Sequence, residues 1–191
     1  MALPHSDVER RERLLTRAEY EDLVRRGVFD DAKVELLYGR VVSMSPQGDP
    51  HRISVRRLAR ILIRALGDRA AVDIQASYAA SDVSKPEPDI VVLPPGDDVE
   101  GPQQRAWLVV EVADSSISRD RDVKSRLYAA ALVPEYWIVN LVDEVVEVHR
   151  GPEHDGYASV TRHARGETLV VPGFEDVTVG VADVLPPLRR V

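Results

Sequence analysis

The sequence predicts a mixed α/β fold in which a central β-sheet is flanked by helices. Residues 107–112 and 136–142 are apolar runs typical of buried strands, and the segment between them has the apolar spacing of a helix. A strand, a crossover helix and a second strand form a βαβ unit, whose two strands pair in parallel. The length of 191 residues suits one hydrophobic core, so we expect a single domain over residues 1–191 with a polar arm over residues 1–15.

The N-terminal part is predicted to hold a short helix and a β-hairpin. Thr16 followed by Glu19 is a capping box, which begins a helix that Gly27 ends. Residues 34–44 contain two apolar runs on either side of a Tyr-Gly turn, a pattern typical of a hairpin. This hairpin precedes the longest predicted helix.

That longer helix is predicted from Asp49 as its cap, through Pro50 at the first helical position, to Gly67. Its arginines recur every fourth residue and therefore form one stripe, opposite an apolar face that would pack on the core. Residues 50–67 contain no acidic residue. Two interpretations of the stripe stay open, a solvated helix surface and a surface that contacts phosphates. The stripe consists of Arg52, Arg56, Arg60 and Arg64.

The rest of the chain is predicted as strands, turns and one further helix. Asp89 stands at the start of a buried strand, and Pro134 ends the crossover helix. The predicted elements are strands over residues 72–80, 90–93, 107–112, 136–142 and 145–148, a polar loop over 96–105, a helix over 120–132, and short strands and turns over 156–185.

The composition limits the classes of function. No stretch approaches the roughly 20 apolar residues of a membrane-spanning helix, and there is no cysteine for a disulfide or a thiolate metal site. The N-terminus lacks a secretory pattern, so we expect a cytoplasmic protein. The net charge of -7 opposes binding of a polyanion unless a local basic surface, such as the arginine stripe, provides it.

Four charged residues occupy positions where structural needs favour other residue types. Glu111 interrupts an apolar strand, and a charge buried there is costly unless a cation or hydrogen-bond donors meet it. Asp89 starts another buried strand, Glu35 lies on the predicted hairpin, and Lys124 lies on the helix after Glu111. Phosphodiester hydrolysis with magnesium needs two or three carboxylate ligands, a water and a balancing cation. The four residues could supply that set.

Each of these residues also has a purely structural interpretation. Glu35 could pair across the hairpin with Arg40, and Lys124 could pair with Asp120 one helical turn earlier. An aspartate after a proline commonly ends a turn. Glu111 could be half-exposed or bonded to an arginine. If the carboxylates instead cluster in a buried site, burial and mutual repulsion should raise the pKa of Glu111.

The segments PEPDI, WLVVEVA and DSSISRDRDVKSRLYAAALVPEYWIVN, in this order and spacing, resemble the Uma family of endonucleases in the PD-(D/E)XK, or restriction-endonuclease-like, superfamily. The resemblance extends from the Glu35 hairpin to VGVADVL. It implies a restriction-endonuclease-like core with extra hairpins. It also implies that Asp89 and Glu111 hold one or two Mg²⁺ or Mn²⁺ ions, and that Glu35 is a further ligand or a site organiser.

The sequence departs from the superfamily pattern at the lysine. That lysine normally stands two residues after the second acid, where this chain has Ala113. Uma-type sequences place a lysine on the following helix, and Lys124 matches that place. Its long side chain can reach the site from a neighbouring element. The resemblance implies that Lys124 positions or activates the attacking water and stabilises the transition state.

The resemblance implies a magnesium-dependent endonuclease that acts on DNA and works as a homodimer. The alternative is a noncatalytic binding or assembly module that keeps a cation site, and the net charge of -7 favours it. Surface or packing roles stay open for the histidine, the glutamine and the tyrosine among the candidate substrate contacts. These candidates are His51, Arg52, Arg56, Arg60, Gln75 and Tyr128.

Overall fold

A six-stranded mixed sheet forms the centre of the computed structural model, which describes residues 13–96 and 106–187. Its strands in chain order are β3 (Ala71–Ile74), β4 (Ile90–Leu93), β5 (Leu108–Ala113), β6 (Glu135–Asn140), β7 (Val145–Glu153) and β8 (Gly156–Ala164). They lie side by side in that order, with β3 at one edge and β8 at the other. Strands β5 and β6 are parallel, and the other neighbours are antiparallel. The predicted mixed sheet and its parallel βαβ unit are confirmed.

Helices and two hairpins surround the sheet. The hairpin strands are β1 (Val34–Leu37) with β2 (Arg40–Ser43) and β9 (Thr168–Val171) with β10 (Phe174–Gly180). The helical elements are α1 (Arg17–Arg25), α2 (Asp49–Leu66), a 3-10 turn (Gly67–Arg69), α3 (Ile117–Arg119), a π-helical turn (Asp120–Lys124), α4 (Ser125–Ala130) and α5 (Val181–Val184). We call the continuous stretch from α3 to α4 the site helix. No helix in the described ranges is long and apolar enough to cross a membrane.

The two faces of the sheet pack against different elements. On one face, Leu62 of α2 packs in a cluster with Val110 of β5. On the other face, Leu127 of the site helix packs in a cluster with Val109. Because alternate strand residues point to opposite faces, Glu111 lies on the same face as Val109, beneath the site helix. Strand alternation thus places this carboxylate where Lys124 can reach it.

The ends of the first two helices test the predicted caps. The capping box of α1 is confirmed, since Thr16 and Glu19 exchange hydrogen bonds in both directions. The cap predicted for α2 was wrong by one residue, because Gly48 is the N-cap and Asp49 is already helical. The Asp49 carboxylate accepts a 2.7 Å hydrogen bond from Arg52 instead of capping the helix.

The strand predicted over residues 72–80 is shorter than expected and ends at Ile74. The next residue, Gln75, has a φ of 50°, a left-handed conformation that interrupts an extended strand. Beyond it the chain folds as a loop, in which the Tyr78 amide donates a 2.8 Å hydrogen bond to the Pro86 carbonyl. This early end frees the Gln75 side chain to turn towards the start of β4.

The site helix differs from the helix predicted over residues 120–132. It begins at Ile117 and ends at Ala130, before Leu132 takes a φ of 58°. Its middle is the π-helical turn, in which hydrogen bonds span five residues instead of four. The C-terminal prediction of only short strands was also wrong, because β8 has nine residues. Most of the predicted N-terminal arm and of the loop over 96–105 lies outside the described residues.

Candidate active site

The four charged residues singled out in the sequence lie together at a small buried cavity. Lys124 donates a 2.9 Å hydrogen bond from Nζ to Glu111 Oε1, and the same Nζ lies 3.1 Å from Glu35 Oε2. Asp89 lines the same cavity, whose volume is about 60 Å³. All four side chains are buried. This burial rules out the exposed surface positions that the structural interpretations required for Glu35 and Lys124.

Asp89 is held by three groups from three parts of the chain. Its Oδ2 accepts a 2.8 Å hydrogen bond from the backbone amide of Val112 and forms a 2.9 Å hydrogen bond with His51 Nε2. Its Oδ1 accepts a 3.3 Å hydrogen bond from Gln75 Nε2. The bond to the Val112 amide fixes Asp89 against β5, next to Glu111. His51 and Gln75 therefore contact the site through Asp89.

Tyr128 fixes the second carboxylate. Its hydroxyl donates a 2.8 Å hydrogen bond to Glu111 Oε1, the oxygen that also accepts from Lys124. Burial, followed by the nearby Glu111 charge, raises the pKa of Tyr128 well above its usual value, so this hydroxyl remains a donor. Glu35 has a further donor, since its Oε2 accepts a 3.3 Å hydrogen bond from the backbone amide of Glu87.

Asp120 is a cavity-lining acid that the sequence interpretation missed. It is buried and accepts a 2.6 Å hydrogen bond from Ser116 Oγ. Burial raises its pKa, Lys124 and the Ser116 bond oppose the rise, and the charges of Asp89 and Glu35 add to it. The signal was present in the spacing. Asp120 and Lys124 are four residues apart on one helix, so an inward Lys124 brings Asp120 inward as well.

The electrostatics show several acids sharing one cation. Burial raises the pKa of Glu111 well above its usual value. Lys124 opposes that rise, and Asp120, Asp89 and Glu35 add to it. The prediction of a raised Glu111 pKa is confirmed. For Lys124, burial lowers the pKa, but Glu111, Glu35 and Asp120 outweigh burial, so the pKa rises and the ammonium stays charged. One ammonium therefore stabilises an excess of negative charge at this cavity.

The donor chemistry of the cavity suits a hard divalent cation. Carboxylate oxygens are the ligands that Mg²⁺ prefers, and a cavity of about 60 Å³ has room for several water-sized groups. Among the described residues, however, no three acids or histidines are placed around one point where they could hold an ion. The reason is that Lys124 lies between Glu35 and Glu111, while His51 is bonded to Asp89. An ion would therefore compete with the ammonium for these oxygens.

The candidate substrate contacts fall into two groups. His51, Gln75 and Tyr128 are bonded to the acids of the cavity. The predicted arginine stripe, in contrast, lies exposed along α2 and makes no contact with those acids in the described structure. The stripe lies beside β3, on a surface separate from the cavity.

The fold is shared with a protein of known structure. A protein described as "a putative nuclease belonging to DUF820" from Anabaena variabilis ATCC 29413 superimposes with a TM-score of 0.69 at 16% identity, over 89% of this chain and 97% of that chain. The type IIG restriction endonuclease BpuSI gives a TM-score of 0.41 at 19% identity, over 78% of this chain and 17% of that chain, and adds nothing to the fold assignment. No curated protein sequence matches the chain.

The sequence itself identifies the family. Residues 17–183 match Uma2, described as "Putative restriction endonuclease", and this range contains all the acids of the cavity together with Lys124. The predicted resemblance is thereby confirmed over most of the chain, and the chain belongs to the Uma2 family.

Proposed function

We propose that the protein is a magnesium-dependent endonuclease that hydrolyses phosphodiester bonds of DNA at the cavity between β5 and the site helix. Membership of the Uma2 family supports a nuclease-type function. The observation that supports magnesium-dependent hydrolysis at this cavity is the buried Lys124, which contacts both Glu111 and Glu35 beside Asp89. An excess of buried acids over cations at one cavity is expected where a divalent cation binds.

Asp89 and Glu111 would hold Mg²⁺ or Mn²⁺, with Glu35 as a third ligand or as an organiser of the site. Bound there, such an ion polarises a phosphate oxygen and lowers the pKa of a water. The chain supplies the orientation. His51 and the Val112 amide hold Asp89, and the Tyr128 hydroxyl holds Glu111. Partners of this kind fix ligand geometry before a ligand arrives.

Lys124 acts as a cation and not as a base. Because the surrounding acids raise its pKa, the ammonium keeps its proton at neutral pH. Its hydrogens can then be donated to an attacking water or to a phosphate oxygen, where they balance the negative charge that develops in the transition state. In the structure those hydrogens are donated to Glu111 and lie close to Glu35.

A noncatalytic binding module is the second candidate. One observation favours it: Lys124 already contacts Glu111 and Glu35 and so neutralises part of the acidic cluster. Such a module would keep a cation site at the cavity but would not hydrolyse a phosphodiester bond. A cleavage assay separates the two candidates.

The assay incubates purified protein with supercoiled plasmid and Mg²⁺ or Mn²⁺. Glu111→Gln should lower the cleavage rate by at least about a hundredfold, because it removes the charge that would bind the ion. Glu147→Gln is the matched control. Glu147 is equally a buried glutamate on the sheet, but it is bonded to Arg121 and Asn140 away from the cavity. Cleavage should survive in this control. No cleavage by the wild type, or equal cleavage by Glu111→Gln, would contradict the proposed activity.

The proposal extends to a homodimer in the cytoplasm. Two copies related by a two-fold axis can place two sites on opposite strands of a duplex. Sedimentation equilibrium of the purified protein tests the oligomeric state. A monomer at all concentrations would remove the dimer from the proposal and leave the chemistry of each site unchanged.

A further inference from the structure

A second concave surface lies beside the cavity, between α2 and the edge strand β3. It is an open groove of about 550 Å³. We call it the arginine groove. Its main lining residues are Arg52, Arg56, Arg60, Arg64, Ile74 and Gln75.

The arginine groove is a positive surface on a negative protein. Its four arginines are exposed, whereas the chain as a whole carries a net charge of -7. Arg52 pairs with Asp49 at 2.7 Å. Within residues 13–96 and 106–187, Arg56, Arg60 and Arg64 form no ion pair, and no acidic side chain lines the groove. Unpaired guanidinium groups in a row are suited to a row of phosphates.

Two glutamines connect the arginine groove to the cavity. Gln47 lines both surfaces. Gln75, at the end of β3, donates from Nε2 to Gln47 Oε1 at 2.8 Å and to Asp89 Oδ1 at 3.3 Å. A chain of polar contacts therefore runs from the groove to the carboxylate that we propose as a metal ligand. A polymer lying in the groove would arrive at Asp89.

We propose that the arginine groove binds the sugar-phosphate backbone of one nucleic-acid strand and leads it to the cavity. Residues 52–64 span twelve helical steps, or about 18 Å, which is the axial length of about five nucleotides of one strand. Ile63 and Ile74 are 48% and 44% exposed along the groove and offer apolar contacts to sugars. The contacts are to backbone and sugar, so binding is independent of base sequence.

The inference rests on the proposed function only for what happens where the strand reaches Asp89. Binding itself can be measured without cleavage, by fluorescence anisotropy of a fluorescein-labelled DNA duplex and of its separate strand, in EDTA. The groove variant is Arg56→Gln with Arg60→Gln. The matched control is Arg25→Gln with Arg26→Gln, which removes the same charge from the C-terminal end of α1 and its cap, outside the groove. Circular dichroism verifies that both variants are folded.

The groove variant should have a Kd roughly tenfold above that of the wild type for at least one of the two probes. The Kd of the α1 control should stay near the wild-type value. The slope of log Kd against log salt should fall by about 1.5–2, since two phosphate contacts are lost. An unchanged Kd in the groove variant, or an equal loss in the α1 control, would overturn the inference.

The two proposals fail in different ways. If Glu111→Gln abolishes plasmid cleavage while the groove variant binds and cleaves like the wild type, the groove proposal falls and the nuclease proposal stands. The opposite outcome is that the wild type binds DNA without cleaving it, and that the groove variant loses this binding while the α1 control keeps it. The nuclease proposal then falls and the groove proposal stands.

Discussion

Glu111 on β5 and Glu147 on β7 are both buried glutamates with a basic partner, yet their environments differ. Glu147 accepts two hydrogen bonds from the Arg121 guanidinium and a 2.9 Å bond from Asn140 Nδ2. Burial raises the pKa of Glu147, but the Arg121 and Asn140 bonds outweigh it, so that its pKa is lowered. Glu111 shares Lys124 with other acids, and its pKa is raised. One carboxylate is fully compensated and the other is not.

This difference separates a structural carboxylate from a functional one. Glu147 accepts hydrogen bonds from a guanidinium and an amide that together outweigh the effect of its burial, although both donors also contact Asp143. Such a carboxylate needs no further cation. Glu111 instead lines a cavity in which the acids outnumber the cations. Burial alone therefore does not mark a functional acid. A functional acid is marked by a buried carboxylate whose charge is not balanced by its neighbours and which lines a cavity. Removing the cation from each cluster tests this criterion.

The largest expected effect follows removal of the ammonium. Lys124→Met leaves Glu111 and Glu35 buried without their cation, which should lower the free energy of unfolding by about 3–5 kcal/mol at neutral pH. Because the raised pKa of Glu111 favours its protonated form, the deficit should shrink as pH falls. Added Mg²⁺ should also restore stability, since it supplies the missing charge. Urea unfolding with Mg²⁺ or with EDTA measures both effects.

Arg121→Met is the matched control for the other cluster. It too leaves a buried glutamate, Glu147, without its main cation. The loss of unfolding free energy in Arg121→Met should be smaller than in Lys124→Met, because the Arg121 side chain is 40% exposed and water screens the pair. Added Mg²⁺ should not restore the stability of Arg121→Met. Equal recovery of both variants in Mg²⁺ would show that the ion acts on the whole protein and not at the cavity.

A second prediction concerns Asp120, the acid found only in the structure. Asp120→Asn keeps a hydrogen-bonding group for Ser116 but removes one negative charge from the cavity. If that charge helps to position the ion or Lys124, cleavage should slow roughly 10- to 100-fold. Asp122→Asn, an exposed position on the same π-helical turn, is the control and should cleave normally. Unchanged plasmid nicking by Asp120→Asn would assign Asp120 a purely structural role.

A third prediction compares the two glutamates directly in stability. Glu147→Gln replaces a charged acceptor of the Arg121 and Asn140 bonds and should cost about 1.5–2 kcal/mol in the free energy of unfolding. Glu111→Gln should leave stability nearly unchanged or raise it, because it removes an under-compensated buried charge. Urea titration of both variants at neutral pH measures this. The reverse order of stabilities would invalidate the distinction between the two carboxylates.

Much of the fold follows from local patterns in the sequence. The apolar runs of β5 and β6 and the intervening helical spacing suffice for a parallel pair. Glu111 was identifiable because it interrupts such a run, and this inference depends on periodicity, which a sequence displays directly. Lys124 was singled out mainly by the resemblance to Uma-type sequences, which place a lysine on the helix after the second acid, and the structure puts it in contact with Glu111.

Other features of the site depend on contacts distant in sequence. The π-helical turn over Asp120–Lys124 has no residue signature in the sequence. Asp120 was considered only as a surface partner for Lys124, although the four-residue spacing already placed the two on one side of the helix. The link from Gln47 to Gln75 joins two loops, and it depends on the early end of β3 at a positive φ. Such pairs become visible only once the strands are placed.

The smallest expected effect comes from His149, which adjoins the compensated cluster. Its ring packs between Tyr136 and Tyr157 at centroid distances of 5.3 and 5.7 Å. Burial lowers its pKa, Glu147 opposes this, and Arg121 adds to it. The native state therefore resists protonation, and the contribution of the neutral ring to stability is present above pH 6.5 and is lost as pH falls below it.

Thermal unfolding followed by circular dichroism measures the effect as a function of pH. As pH falls below 6.5, the raised pKa values of Glu111 and Asp120 favour the native state and oppose the His149 effect, so the expected result is a difference between variant and wild type. The Tm of His149→Gln should rise relative to that of the wild type as pH drops below 6.5. His154→Gln, at a side chain that is 97% exposed, should behave like the wild type.

Glu147 does not contribute to the pH dependence in this range. Because its pKa is lowered, its contribution to stability is present above pH 4.5 and is lost only as pH falls below that value. A Tm difference between His149→Gln and the wild type that does not change with pH would mean that this part of the compensated cluster is insensitive to protonation of His149.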